Sequence, residues 1–211
     1  MKSIRSVRSE GPYHLGGWSL GGTIAFEMAR QLRSQGQEVA TLALFDSRPP
    51  ESGAGSDREE VELAREIRAL WPARATAGAG DFLDEDTVLA EFVRDMAHGF
   101  GVAPRKLLRK LRGLPPEEQR SALMHAFGLD EVYHMETGPE QVRRLWNVLR
   151  ANLRAWRDYE PGVYDGPVTL FLARRGLRGR LSNAMRGWGR WTTGGLTVHE
   201  VPGDHAGILR A

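Results

Sequence analysis

Cysteine is absent from the 211-residue sequence, which excludes disulfide bonds and metal sites that use thiolate ligands. No apolar run is long enough for a transmembrane helix, which requires about 20 residues. The basic segment at residues 1–10 has no apolar stretch behind it, so it does not match a secretory signal. Charge of one sign is not in excess either, because 29 lysines and arginines stand against 27 aspartates and glutamates. We therefore expect a cytoplasmic protein that binds neither membrane nor nucleic acid.

The order of apolar segments predicts an α/β fold with a parallel sheet. Residues 12–18 (PYHLGGW) predict a short strand, and residues 21–34 carry apolar side chains at helical spacing. Residues 39–45 (VATLALF) form a continuous apolar run, which is typical of a buried parallel strand. A strand, a helix and a strand in this order make one βαβ unit. The segments 167–173 (PVTLFLA) and 196–201 (LTVHEV) predict two further strands.

Between the second and third predicted strands lies a long insertion without a strand pattern. It covers about residues 51–160, and the chain length fits a single domain, 1–211. Ser56 and Glu59 have the spacing of a capping box, and a proline follows Gly138 at the start of a further helical pattern. We therefore expect a helical lid over the sheet rather than a second domain.

The segment with the clearest chemical meaning is Gly17-Trp18-Ser19-Leu20-Gly21, which follows a predicted strand and precedes a predicted helix. In this context a G-x-S-x-G pattern predicts a nucleophile elbow, in which glycines leave room for a sharp turn that presents the serine hydroxyl. Ser19 is then the candidate nucleophile, and the N–H of Leu20 is the candidate oxyanion donor. The structural alternative is a glycine-rich turn that packing alone requires. No phosphate-binding loop, dinucleotide fingerprint or metal-ligand spacing appears, so we expect no cofactor and no metal.

A serine nucleophile needs a base, and His205 is the candidate for that role. It follows the last predicted strand, and in α/β-type serine hydrolases the base comes after the acid in chain order. His14 lies within the first strand and is better explained as structural. The alternative for His205 is a solvated loop histidine.

The candidate acid is Asp46, which ends the strand that follows the elbow helix. Parallel α/β folds build their sites at this carboxyl edge of the sheet. A carboxylate after strand 167–173 is the main rival, but that strand runs into Arg174 and Arg175. Asp204 adjoins His205, and adjacent residues rarely make the required contact. The alternative for Asp46 is a residue that merely ends a strand.

These motifs together resemble the thioesterase domains of nonribosomal peptide and polyketide synthetases, which belong to the α/β-hydrolase superfamily. Residues 11–50 match the family's Gly-Pro-Tyr, Gly-Trp-Ser-x-Gly-Gly and strand-ending Asp, with Ser19 and Asp46 27 positions apart (46 − 19). Residues 196–209, VHEVPGDHAGIL among them, look like the family's histidine motif.

The resemblance implies that a partner, an acyl or peptidyl carrier protein, presents a thioester on phosphopantetheine. Ser19 would take the chain and release it by hydrolysis or cyclisation. Two departures from the family pattern are expected to matter: only 18 residues precede Ser19, and six follow His205. The chain is therefore predicted to be truncated at its N-terminus, without the loop that supplies the second oxyanion donor. The alternatives are a generic carboxylester hydrolase on the same fold and a non-catalytic remnant that docks carrier proteins.

Overall fold

A computed structural model describes most of the two ends of the chain and part of its middle. The described residues are 2–49, 103–126, 139–174, 187–205 and 207–209, with a few positions between 63 and 94. The chain divides into two compact units, of which one comprises Met1–Ser52 with Tyr159–Ala211 and the other Gly53–Asp158.

The first unit contains the parallel sheet that the apolar segments predict. Its strands β1 (Tyr13–Trp18), β2 (Val39–Phe45), β3 (Val168–Ala173) and β4 (Leu196–Val201) lie side by side in chain order. All three neighbouring pairs are parallel. The predicted fold class is confirmed, and the predicted strand bounds differ from those of the structure by at most one residue. Because parallel strands end at the same edge, the residues that follow β1, β2 and β4 are brought to that edge.

Helix α2 (Leu20–Ser34) covers one face of this sheet. Phe26, Ala29 and Leu32 of the helix are fully buried, in the same core as Leu42 and Leu44 of β2. The helix is amphipathic, as its apolar spacing predicts, and burial of its apolar stripe is what stabilises it there.

Aromatic rings line up across neighbouring strands on the other face. Phe45 stacks on Phe171 with ring centroids 5.0 Å apart, and Phe171 stacks on His199 at 5.3 Å. The strand register explains the row, because Phe45 pairs with Phe171 and Phe171 pairs with His199.

Glu27 on α2 is the centre of a hydrogen-bond network within the first unit. Its carboxylate accepts hydrogen bonds from Arg30 (2.8 Å), Gln31 (2.8 Å) and the Tyr159 hydroxyl (2.6 Å). Burial opposes ionisation, but the hydrogen bonds from these three side chains outweigh it and lower the pKa of Glu27 to about 2. The network therefore fixes Tyr159, the residue at which the chain re-enters this unit, to the carboxylate of Glu27 on α2.

Helix α1 (Lys2–Val7) was not predicted from the sequence. Its six residues are too few to show a periodic apolar pattern, and only Ile4 packs against the core. The Tyr13 hydroxyl donates a hydrogen bond of 2.8 Å to the carbonyl of Arg8, which fixes the chain just beyond the helix.

The second unit contains helices α3 (Pro104–Arg112), α4 (Pro116–Ala126) and α5 (Pro139–Arg157). Among its described residues, all the regular structure is helical, as predicted for the insertion. The predicted capping box at Ser56 and Glu59 lies outside the described residues, and the placement of this unit as a lid stays a prediction. No helix in the part of the chain that the structure covers has the length and apolar composition needed to cross a membrane.

Candidate active site

Ser19 occupies a strained turn between β1 and α2. Its backbone has φ 55° and ψ −126°, a region that non-glycine residues rarely adopt and that costs about 1–3 kcal/mol. Two hydrogen bonds hold the turn: the Ser19 N–H donates to the carbonyl of Phe45 (2.9 Å), and the Gly22 N–H donates to the carbonyl of Ser19 (3.0 Å). The side chain of Ser19 makes no capping hydrogen bond to α2. These main-chain hydrogen bonds, one of them to the end of β2, therefore hold Ser19 in the strained geometry that an elbow requires.

Glycines make this turn possible, but only one of the two predicted ones is required for space. A Cβ on Gly17 would collide with the main chain of Gly21, whereas a Cβ on Gly21 would meet nothing within 4 Å. The prediction that Gly21 leaves room for the turn is therefore wrong. The tight position is Gly22, where a Cβ would collide with the side chain of Ser47. Ser47 is fully buried and its carbonyl accepts a hydrogen bond from the Trp188 indole (3.0 Å), so it has little freedom to move.

Alanine substitutions at the two adjacent glycines should have opposite effects on stability. We expect Gly22→Ala to lower the free energy of unfolding by about 1–3 kcal/mol through overpacking. Gly21→Ala should raise it by about 0.5–1 kcal/mol, since alanine is the better helix former and meets no neighbour. Urea unfolding of the two variants measures both values. Equal losses in the two variants would contradict the steric assignment.

Asp46 follows β2 and contacts His205 directly. Its Oδ2 lies 2.6 Å from Nδ1 of His205, and its Oδ1 accepts the N–H of Ala173 at 3.2 Å. The Asp46 N–H donates to the carbonyl of Phe171 (2.7 Å), and its backbone also has a positive φ, 44°. The side chain of Asp46 is 9% exposed and that of His205 is 7% exposed, so water competes little for the hydrogen bond between them. The structure thus contains the predicted contact, and a proton on Nδ1 leaves Nε2 as the ring nitrogen able to accept another.

Neither rival position supplies the carboxylate at Nδ1 of His205 in the part of the chain that the structure describes. Asp204 instead accepts the N–H of Gly207 at 2.8 Å, in the loop around His205. After β3 comes Arg174, whose N–H donates to the carbonyl of Val201 (2.9 Å). His14 was predicted to be structural from its position in the first strand. Its Nδ1 is hydrogen-bonded to the hydroxyl of Thr41, with 2.9 Å between the two atoms.

Trp18 joins the elbow to the histidine loop, a role that was not predicted from the sequence. Its indole N–H donates a hydrogen bond of 2.7 Å to the carbonyl of His205. Its ring also lies against the imidazole, with centroids 4.7 Å apart and planes inclined by 34°. Because Trp18 immediately precedes Ser19, these contacts bring His205 beside the elbow. The only sequence signal was the presence of Trp18 within the motif itself.

Leu20 is the first residue of α2. Its N–H belongs to the first turn, where N–H groups have no acceptor within the helix and the helix dipole favours negative charge. Among the described residues, no three His, Cys, Asp or Glu side chains are grouped to hold a metal ion. The chemistry available at this edge is thus that of a hydroxyl, a buried imidazole–carboxylate pair and a helix N-terminus.

Comparisons with known proteins identify the family to which this sequence is similar. The family model described as a thioesterase domain matches residues 1–211. A non-reducing polyketide synthase of Cladonia grayi is 52% identical over 213 residues, which cover 98% of this chain and 9% of that protein. The chondramide synthase of Chondromyces crocatus is 29% identical over 211 residues, covering 99% of this chain and 5% of that protein. The chain thus spans less than a tenth of the length of these relatives.

Solved structures share the fold. A four-domain nonribosomal peptide synthetase bound to AMP and glycine superposes with a TM-score of 0.59 at 26% identity, covering 99% of this chain and 14% of that one. The Vlm2 thioesterase domain superposes with a TM-score of 0.58 at 23% identity, covering 99% of this chain and 67% of that one.

Proposed function

The chain belongs to the family of thioesterase domains, and from that premise we propose that it releases an acyl or peptidyl chain through an ester on Ser19. The substrate is a thioester on the phosphopantetheine of a carrier protein, the kind of partner with which such domains work inside multidomain synthases. The observation that carries the proposal is the buried Asp46–His205 pair placed beside the strained turn at Ser19. The enzyme needs no cofactor of its own, because the phosphopantetheine arrives with the substrate.

The first half of the proposed reaction forms the acyl enzyme. Ser19 Oγ attacks the thioester carbonyl carbon while Nε2 of His205 takes the hydroxyl proton. Asp46 keeps the imidazole in the required tautomer and stabilises its cationic form. The N–H of Leu20 faces the oxyanion of the tetrahedral intermediate. When the C–S bond breaks, the sulfur leaves with the proton from His205.

The second half returns the enzyme to its starting state. Water, or a hydroxyl or amine of the chain itself, attacks the ester carbonyl, and His205 takes its proton. The bond between Ser19 Oγ and the carbonyl carbon breaks, and the same proton returns to the serine. Hydrolysis gives a free acid, and attack by the chain's own nucleophile gives a ring.

A comparison of matched substrates tests the proposal. One acyl group is offered as a carrier-bound thioester, as the pantetheine thioester and as a simple oxoester. We expect kcat/KM to be at least about tenfold higher for the carrier-bound thioester than for the oxoester, because contacts to the carrier and its arm contribute binding energy. Equal values would identify a generic ester hydrolase, and carrier binding without turnover of any substrate would identify a docking module.

A further inference from the structure

The loop that carries His205 needs more support than Asp46 gives it. The hydrogen bond at Nδ1 fixes one atom of the ring, and a single bond of this kind leaves the ring able to swing about it. The loop also contains Gly203, which has a φ of 109° and a permissive backbone. The side chain of Asp204 accepts the N–H of Gly207 and so closes the turn around His205.

We propose that Trp18 is the positioning residue for His205, an inference that rests on the proposed function of the site. The indole N–H donates a 2.7 Å hydrogen bond to the carbonyl oxygen of His205. The indole ring also packs against the imidazole, with ring centroids 4.7 Å apart. Trp18 thus restrains His205 at its carbonyl oxygen and at one face of its ring, and Asp46 restrains it at Nδ1. Nε2 is left for proton transfer.

The position of Trp18 in the chain couples the orientation of His205 to the position of Ser19. Trp18 is the last residue of β1, and Ser19 follows it directly, so the residue that orients the base is bonded to the nucleophile. Any shift of the elbow therefore moves the anchor of His205 with it. A small displacement of reacting groups, about 1 Å, can lower a rate about a hundredfold, and a shared anchor limits such displacement.

Two variants separate the parts of this role. Trp18→Phe keeps an aromatic face but removes the N–H donor, and Trp18→Leu removes both. We expect kcat for thioester release to fall about tenfold in the first variant and about a hundredfold in the second, with KM changed less than about twofold. Trp191→Phe is the matched control, since Trp191 is a partly buried tryptophan of the same unit that packs against the core. Its kcat should equal that of the wild type.

A spectroscopic measurement tests the positioning independently of turnover. In protein with ¹⁵N-labelled histidine, the Nδ1 proton shared with Asp46 should exchange with solvent several-fold faster in Trp18→Phe than in the wild type or Trp191→Phe. Unchanged exchange would overturn the proposal, whether or not kcat falls, because Trp18 would then not restrain the ring. If the wild type released no thioester, the proposed function would fail while the exchange rates still decided the role of Trp18. Should Trp18→Leu fail to fold, Trp18→Phe alone decides.

Discussion

Replacing Ser19 with alanine is expected to lower the rate of thioester release by about 10⁶-fold. Loss of the nucleophile from a Ser-His-Asp enzyme has an effect of about this size, because the attacking oxygen is gone while the rest of the site remains. The substitution leaves the main-chain hydrogen bonds to Phe45 and Gly22 in place, since neither uses the side chain. The chain has no cysteine, so a thiol reagent measures the released phosphopantetheine thiol without background from this protein.

Ser34→Ala is the matched control for that experiment. Ser34 is an exposed serine at the end of α2, and its hydroxyl donates to the carbonyl of Gln31 at 2.9 Å. We expect its rate to equal that of the wild type. A Ser19→Ala protein that retained more than about a thousandth of the wild-type rate would show that another group attacks the thioester.

Asp46→Asn should lower kcat by about 10⁴-fold with little change in KM. The asparagine can still accept the N–H of Ala173 through its oxygen, so the side chain should keep its orientation. Its NH₂ group then faces Nδ1 of His205, which favours the tautomer with the proton on Nε2. In that tautomer the imidazole cannot accept the proton of Ser19, and an equivalent change in another triad has an effect of this size.

The control for Asp46 is Asp204→Asn, a variant of the rival carboxylate next to His205. The hydrogen bond from Gly207 to Asp204 survives in this variant, because the amide oxygen can accept it. We expect kcat to change by less than about threefold. Comparable losses in the two variants would show that the loop as a whole, rather than the contact with Asp46, orients the imidazole.

The sheet and the candidate acid could be predicted because both depend on short stretches of sequence. A short continuous apolar run such as 39–45 indicates a buried parallel strand, and the residue that ends such a strand lies at the carboxyl edge of the sheet. The same argument places Ser19 at the start of α2. Local pattern therefore gave the strands, the elbow and the place of Asp46.

The remaining features depend on contacts between distant residues, which no local pattern encodes. Trp18 and His205 are in contact although 187 positions separate them in the sequence, and Glu27 and Tyr159 are in contact although 132 positions separate them. The steric difference between Gly21 and Gly22 depends on where the buried Ser47 packs. Such contacts become visible only once the strands have been assembled in their register.

Covalent labelling tests the central claim, that Ser19 is the group that takes the acyl chain. A fluorophosphonate carrying an acyl-like chain is incubated with the protein, and the digested product is mapped by mass spectrometry. We expect one phosphonyl group per chain, on Ser19, at a rate that Asp46→Asn lowers strongly and Asp204→Asn leaves unchanged. Stable modification of a different residue, with Ser19 unmodified, would contradict it.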